Sequence, residues 1–138
     1  MVDYIEFEGT KYPVKLAMIA LKDFEADAKV DIGSIGEDLK LHALLLWHGI
    51  RIGHARIKKD FYKKKKIAGV ETEVPVLSQG DCLWILDDCF TQYFDIFIKS
   101  MARIADISED EMKGNIRVAI EEEEGKKKLP LKTFVPKP

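Results

Sequence analysis

Three histidines in this 138-residue sequence are of a type that could bind a metal ion or transfer a proton. His42, His48 and His54 are six residues apart, and each step of six turns an α-helix through about 240°. Metal-binding pairs on a helix need a spacing of three or four residues, as in the pattern H-E-x-x-H. The three side chains therefore cannot share one face, and we interpret them as ordinary surface or partly buried histidines.

Acidic and thiol side chains on one predicted helix are the remaining candidates for catalysis. Asp87 and Asp88 are adjacent, so their side chains diverge by about 100° instead of converging on one reacting group. Cys82 and Cys89 are about 10 Å apart along a helix, too far for a disulfide. Cys89 also lies in an apolar stripe, which disfavours a reactive thiolate. The sequence has no phosphate-binding loop or CxxC pair, and it predicts a protein that is not an enzyme and uses neither metal nor cofactor.

A run of four lysines, Lys63–Lys66, follows Phe61 and Tyr62 and has the composition of a segment that stacks on and neutralises nucleic acid. Glu71 and Glu73 follow closely, and the formal net charge of the chain is −2. That balance gives no reason to expect a nucleic acid or a membrane as a partner. We therefore predict an exposed, solvated loop here, with nucleic-acid binding as the minor alternative.

Length and composition predict one globular domain followed by a tail. Hydrophobic residues make up 46% of the chain and charged residues 33%, which is typical of a soluble protein with a packed core. The beginning of the sequence does not resemble a signal peptide, and no apolar stretch of about 18 residues predicts a membrane span. Four glutamates, a run of three lysines and three prolines then predict a domain over residues 1–121 and a flexible tail over residues 122–138.

The third predicted helix, Ser78 to Ile104, is the element around which we expect the fold to be organised. Ser78 and Asp81 form a capping-box pattern at its start, a break is expected near Ser100, and Ser108 opens a fourth helix. Apolar residues recur every three or four positions and make a stripe wider than one partner helix needs. Its large side chains either fill the core or bind another protein. The candidates for partner binding are Trp84, Phe90, Phe94, Phe97 and Met101.

Shorter patterns supply the rest of the predicted fold. Residues 4–14 alternate around Gly9 and predict a β-hairpin, and residues 70–76 predict a strand that joins it. Helices are expected from about residue 16 and from Asp38. The second helix should be largely buried, and Gly49 and Gly53 either weaken its far end or let another backbone come close. The sequence thus predicts an α+β fold that is mostly helical, with three to four helices packed against a small N-terminal β-hairpin or sheet.

The order of these elements resembles that of the tail assembly chaperones of long-tailed, siphovirus-like bacteriophages. The likeness covers roughly residues 4–104: a short hairpin, a helix reading AMIALKDFE, an apolar helix reading LLLWHGIRIG, a polar spacer and a capped helix with L-x-x-L-D-D. The residues that carry it are Gly9, Tyr12, Leu21, Phe24, Glu25, Trp47, Gly49, Ile50, Gly53 and Ser78 to Asp88.

The resemblance implies a role in assembly. Proteins of that family are not enzymes; they bind the tape measure protein, keep it soluble and help recruit tail tube subunits. They act in the cytoplasm of the infected bacterium and are absent from the mature virion. A programmed frameshift often adds an extension that contacts the tail tube protein, and residues 125–127 (Gly-Lys-Lys) are compatible with a slippery coding sequence. Many weak contacts along a long client also favour a homo-oligomer.

Two other functions compete with the chaperone. The first is a small intracellular adaptor or regulatory protein that binds one folded partner. The second is a nucleic-acid-binding module that uses Phe61 to Lys66. An adaptor binds at fixed stoichiometry, whereas a nucleic-acid binder loses affinity steeply with salt.

Overall fold

A computed structural model describes residues 1–118, and it has the α+β, mostly helical architecture that the sequence predicts. Residues 109–118 form a fourth helix, α4, which is helical up to the last described residue. The predicted tail over residues 122–138 and the frameshift site at residues 125–127 lie outside the described residues. The other elements, in chain order, are β1 (Asp3–Phe7), β2 (Thr10–Val14), α1 (Met18–Ala28), α2 (Leu39–Arg56), β3 (Tyr62–Ile67), β4 (Val70–Pro75) and α3 (Gln79–Ala105).

The N-terminal hairpin forms where the sequence predicts it, with β1 antiparallel to β2. Its two-residue turn consists of Glu8 and Gly9, whose φ angles of 50° and 77° are those of a type I′ turn. In this register Pro13 lies opposite Tyr4, at a position that makes no ladder hydrogen bonds. The proline therefore breaks no bond between the strands.

The free edge of β1 is covered by α3. Glu6 donates its backbone N–H to the side-chain oxygen of Gln92 (3.2 Å), and its carbonyl accepts a hydrogen bond from the Cys89 thiol (3.3 Å). Lys99 forms an ion pair with Asp3 at the beginning of the strand. Both outward backbone groups of Glu6 are thus satisfied by one helix.

The free edge of β2 lies against α2 at two helical glycines. Just beyond the strand, the Lys15 N–H donates to the Gly49 carbonyl at 2.9 Å. A Cβ atom at Gly53 would lie 2.4 Å from the backbone oxygen of Pro13. The expectation that these glycines permit close approach of another backbone is confirmed, and the approaching chain is β2.

The core lies where α1, α2 and α3 pack against this hairpin. As predicted, α2 is buried around most of its circumference, and Asp38 caps it by accepting hydrogen bonds from the N–H groups of Lys40 and Leu41. Trp47 is half-buried and donates its indole N–H to the Leu77 carbonyl at 2.8 Å. The largest completely buried side chains are Tyr93, Phe24, Ile5, Leu16, Leu45, Leu46, Ile50, Ile85 and Ile98.

The prediction of a loop at Lys63–Lys66 is wrong, because these lysines form the middle of strand β3. Lys64 lies opposite Glu73 and Lys66 opposite Glu71, so cross-strand pairs of opposite charge offset the low strand propensity of lysine. The expectation that residues 70–76 join the N-terminal hairpin is also wrong. They pair with β3 in a separate two-stranded sheet.

The capping box of α3 is present as predicted, with Ser78 and Asp81 bonding each other's backbone N–H. The expected break near Ser100 is wrong, because α3 continues to Ala105 and ends at Asp106 in the left-handed conformation. The helix is instead kinked at Cys89 (φ −127°, ψ 30°), the residue whose thiol reaches β1. None of the helices in the described part of the chain is long and apolar enough to cross a bilayer.

Candidate functional site

An open apolar groove of about 840 Å³ runs between the C-terminal half of α3, the beginning of α4 and the loop that joins α1 to α2. It brings together several large hydrophobic side chains beside an open volume. Its apolar walls are made chiefly by Phe90, Phe94, Phe97, Met101, Ile104, Met112 and Ile116.

The groove exists because α3 has more apolar surface than the core uses. One side of the helix, including Tyr93 and Ile96, is buried in the core. The adjoining side carries an aromatic or methionine side chain on each successive turn. The Asp106 turn then ends α3, and Ser108 begins α4 by accepting the Glu111 N–H at 3.1 Å. Because this connection is short, the first turns of α4 provide the second wall.

Four of the five predicted partner-binding residues lie together in this groove. Phe90 is 41% exposed and Phe94 is half-buried, so both are accessible, whereas Phe97 and Met101 lie deeper and are nearly covered. Trp84 does not belong to the same surface. It is 66% exposed and lies outside the groove, toward the N-terminal end of the same helix.

The phenylalanines of the groove form a ladder of nearly parallel rings. The ring centroids of Phe90 and Phe94 are 5.5 Å apart, with an angle of 17° between the planes. Phe94 and Phe97 follow at 6.0 Å and 25°. The buried ring of Tyr93 is stacked on Phe97 in turn, at 6.0 Å. The exposed rings are thus supported from below by an ordered core, which holds the apolar wall in one arrangement.

A buried polar pair, His42 and Tyr93, lies beneath this ladder. His42 is one of the residues lining the groove, and its Nε2 lies 2.9 Å from the Gly36 carbonyl, which can only accept. Nε2 therefore carries the proton, and Nδ1 accepts the Tyr93 hydroxyl hydrogen at 2.5 Å. Burial lowers the pKa of His42 below its ordinary value and raises that of Tyr93 well above its own, so both side chains are neutral at pH 7.

Polar groups occur at the rim of the groove. Ser34, Glu37 and Asn115 belong to its lining, and Glu37 is the charged residue among them. Hydrogen-bonding and charged groups in this position border the apolar wall without interrupting it. Such a surface favours an occupant with one apolar face and a polar remainder.

The other two histidines have separate structural partners. His48 donates from Nε2 to Asp27 at 3.0 Å and accepts from Arg51 at Nδ1, while His54 donates from Nδ1 to the Ile50 carbonyl at 2.9 Å. Both are buried. Within residues 1–118 no three histidine, cysteine or acidic side chains are grouped in a way that could hold a metal ion.

The two cysteines are free thiols in apolar surroundings. Burial raises the pKa of Cys82 to about 12 and also raises the pKa of Cys89. A nucleophilic thiolate needs the opposite shift, toward a lower pKa. Cys89 instead serves as a hydrogen-bond donor to β1.

We expect the free energy of unfolding to fall as the pH is lowered from about 7 to about 5 because of His42 and His48. Desolvation lowers the pKa of both in the folded protein, although the Asp27 carboxylate partly opposes this shift for His48. The unfolded chain therefore binds protons that the folded protein does not. The stabilisation is complete above the unfolded pKa of about 6.5 and decreases below it, by at most about 1.4 kcal/mol per pH unit for each histidine.

Urea unfolding at several pH values measures this slope. The variant His42→Asn should be less stable at neutral pH but should show a shallower decrease in stability. A wild-type stability that stays constant down to about pH 5 would contradict the prediction.

The contacts that the groove offers are chiefly apolar. Its walls provide aromatic and thioether contacts, and its buried polar pair is internally satisfied. An amphipathic helix has the matching combination of one apolar stripe and a polar back.

No protein-family model matches the sequence, and no curated protein or solved structure is significantly similar to it.

Proposed function

We propose that this protein is a phage tail assembly chaperone that is not an enzyme and that holds apolar helical segments of the tape measure protein in the groove. The observation that carries the proposal is the ladder of Phe90, Phe94 and Phe97, which gives α3 an organised apolar wall beside an open volume of about 840 Å³. The resemblance of residues 4–104 to tail assembly chaperones supplies the identity of the client.

The composition of the groove suits a client with a variable sequence. Met101 on α3 and Met112 on α4 are unbranched and polarizable, so they adapt to side chains of different shape. The phenylalanine ladder provides apolar area that does not depend on a particular hydrogen bond. A long helical client presents many similar apolar stripes, and a tolerant groove binds each of them weakly.

The accessible rings define an order of contact with the client. Phe90 and Phe94 are exposed enough to make the first contact with a helix of the client. Phe97 and Met101 form the deeper part of the site. Binding then removes the exposed apolar surface of both molecules from water, which is the main driving force for keeping such a client soluble. Recruitment of the tail tube protein by a longer, frameshifted product in the cytoplasm of the host completes the proposed role.

An adaptor that binds one folded partner would use the same groove, and only the stoichiometry and the client distinguish it from a chaperone.

The nucleic-acid alternative has less structural support than either of these. Phe61 is buried, with its ring edge-on to Trp47, and is not free to stack on bases. The run of lysines faces glutamates across the hairpin at two of its positions.

Replacing Phe94 with glutamate should strongly weaken binding of the tape measure protein. The substitution puts an unpaired charge in the middle of the ladder, which we expect to weaken binding by about 2 kcal/mol or more, over tenfold. Co-expression with the tape measure protein, scored by soluble yield and co-purification, measures the effect. Circular dichroism checks that the variant is folded, which we expect because Phe94 is only half-buried.

The matched control is Trp84→Glu, which changes an aromatic side chain on the same helix outside the groove. This variant should retain the client. If Trp84→Glu loses the client and Phe94→Glu retains it, the binding surface lies on the other half of α3 and not in the groove. Failure of the wild-type protein to solubilise or retain the client would refute the chaperone function itself.

A further inference from the structure

The second hairpin, β3 and β4, stands apart from the rest of the described structure. Every residue of β3 is exposed, and β4 is exposed or half-buried along its length. Within residues 1–118 both strands have a free edge, because their sheet consists of these two strands alone. The N-terminal hairpin differs, since α3 covers one of its edges and α2 the other. The second hairpin therefore offers two strand edges for pairing.

The register shows which backbone groups point outward at these edges. Ala68 and Gly69 form a two-residue type I′ turn with φ angles of 51° and 80°. The pair next to such a turn, Ile67 and Val70, is hydrogen-bonded. Along the ladder, hydrogen-bonded pairs then alternate with pairs that are not hydrogen-bonded to each other. The remaining pairs direct their N–H and C=O groups away from the partner strand. The residues with outward backbone groups are Tyr62, Lys64 and Lys66 on β3 and, on β4, Glu71, Glu73 and Pro75, the last through its carbonyl alone.

The two edges carry opposite charges at these positions. The edge of β3 presents Lys64 and Lys66, and the edge of β4 presents Glu71 and Glu73, all with side chains on one face of the sheet. Two β3 edges brought together would place lysine beside lysine, and two β4 edges would place glutamate beside glutamate. Only β3 of one molecule against β4 of another pairs unlike charges.

We propose that this protein self-associates through this hairpin, with the β3 edge of one copy pairing antiparallel to the β4 edge of the next. The occupant of each edge is thus a second copy of the same chain, selected by charge complementarity. Lysines on an exposed edge discourage pairing with unrelated apolar strands, so the same residues limit aggregation. The contact joins two different surfaces, and repetition of it builds a ring or an open chain.

Pro75 sets the length of the intermolecular ladder. It lies opposite Tyr62, at an outward-facing position, so its missing N–H leaves the hairpin intact but removes one donor from the β4 edge. Pairing between copies therefore rests on the residues between the turn and this proline. An interface this short makes each contact weak, so association is expected at high protein concentration.

Proline substitution at outward-facing positions tests the proposal. Lys64→Pro removes an outward N–H of β3, and Glu73→Pro removes one of β4, while the hydrogen-bonded pairs inside the hairpin remain. Each variant keeps one edge and loses the other. Sedimentation velocity over a range of protein and salt concentrations measures the assembly. Amide hydrogen exchange at Lys65 and Thr72, whose N–H groups face inward, checks that the hairpin persists.

The wild type, each proline variant alone and the mixture of the two variants should give different masses. Wild-type protein should exceed twice the monomer mass of 15.8 kDa as its concentration rises, and should dissociate as salt is added. Each proline variant alone should stay monomeric, and an equal mixture of the two should form dimers through the one intact edge of each. A wild-type protein that remains monomeric at low salt overturns the proposal. So does a mixture that stays monomeric while both variants keep their hairpin protection.

This proposal does not depend on the chaperone function, because the groove and the hairpin use different residues. A variant that loses the client through Phe94→Glu should still assemble, and a proline variant should still bind an isolated client segment. If the proline variants lose their hairpin protection, the salt and concentration dependence of the wild-type mass still decides between self-association and none.

Discussion

Gly53→Ala should destabilise the protein by about 3 kcal/mol, which is at the upper end of the usual effect of overpacking. The added Cβ would lie 2.4 Å from the Pro13 oxygen, 2.5 Å from its carbonyl carbon and 2.8 Å from the Val14 nitrogen. All three are backbone atoms of β2, so no side-chain rotation can relieve the contact. Either α2 or the whole N-terminal hairpin must move.

The chain offers two matched controls for this substitution. At Gly49 the closest atom to an added Cβ is the Leu16 Cδ2 at 2.6 Å, the end of a side chain, so Gly49→Ala should cost less than Gly53→Ala. At Gly114 in α4 an added Cβ meets open space, and alanine should stabilise the helix by up to about 1 kcal/mol. Urea unfolding followed by circular dichroism ranks the three variants. Equal stability of Gly53→Ala and the wild type would contradict the close packing of α2 on β2.

Tyr93→Ala should cost about 4 kcal/mol, because it removes a completely buried aromatic ring and the hydroxyl donor of His42 together. The ring lies between Phe97 and the core, so the cavity would open directly beneath the groove. Phe97 would lose one of its two stacked neighbours, and the binding wall would lose part of its support. We therefore expect a loss of client binding in addition to the loss of stability.

Tyr93→Phe separates the two contributions. The ring remains, but His42 Nδ1 is left as a buried acceptor without its donor, for which we expect a cost of about 1–3 kcal/mol. Client binding should be retained, since the ladder keeps its support. The same unfolding measurements apply to both variants. A neutral effect of Tyr93→Phe would mean that the hydroxyl is not the donor to His42.

The parts of the fold that the sequence predicts well are governed by local chemistry. Ser78 and Asp81 cap α3 because their side chains satisfy backbone groups within one turn, and this does not depend on the rest of the protein. Gly9 marks the turn of the first hairpin for the same reason. Gly53 could be read as a site of close approach, but the chain that approaches it is far away in sequence and could not be identified.

The features that sequence patterns miss depend on tertiary partners. A lysine run has low strand propensity, and β3 forms because Glu71 and Glu73 lie opposite it in a particular register. The kink of α3 at Cys89 leaves the apolar period of the helix almost unchanged, so periodicity alone does not locate it. The same holds for the groove. Periodicity places Trp84 about 80° around the helix from Phe94, but only the position of α4 identifies the Phe94 side as the wall of a groove.

The two helices that clamp the N-terminal hairpin also determine when it can be completed during synthesis. Glu6 reaches its partner Gln92 across 86 residues, and Asp3 reaches Lys99 across 96. Ribosomes add roughly 5–20 residues per second, so the first strands wait several seconds for these partners. An isolated two-stranded hairpin is only marginally stable in water. The N-terminal hairpin is therefore synthesised before the helix that covers β1 and reaches its final packing only after that helix is complete, so a nascent chain stalled within α2 would still have an unprotected β1 edge.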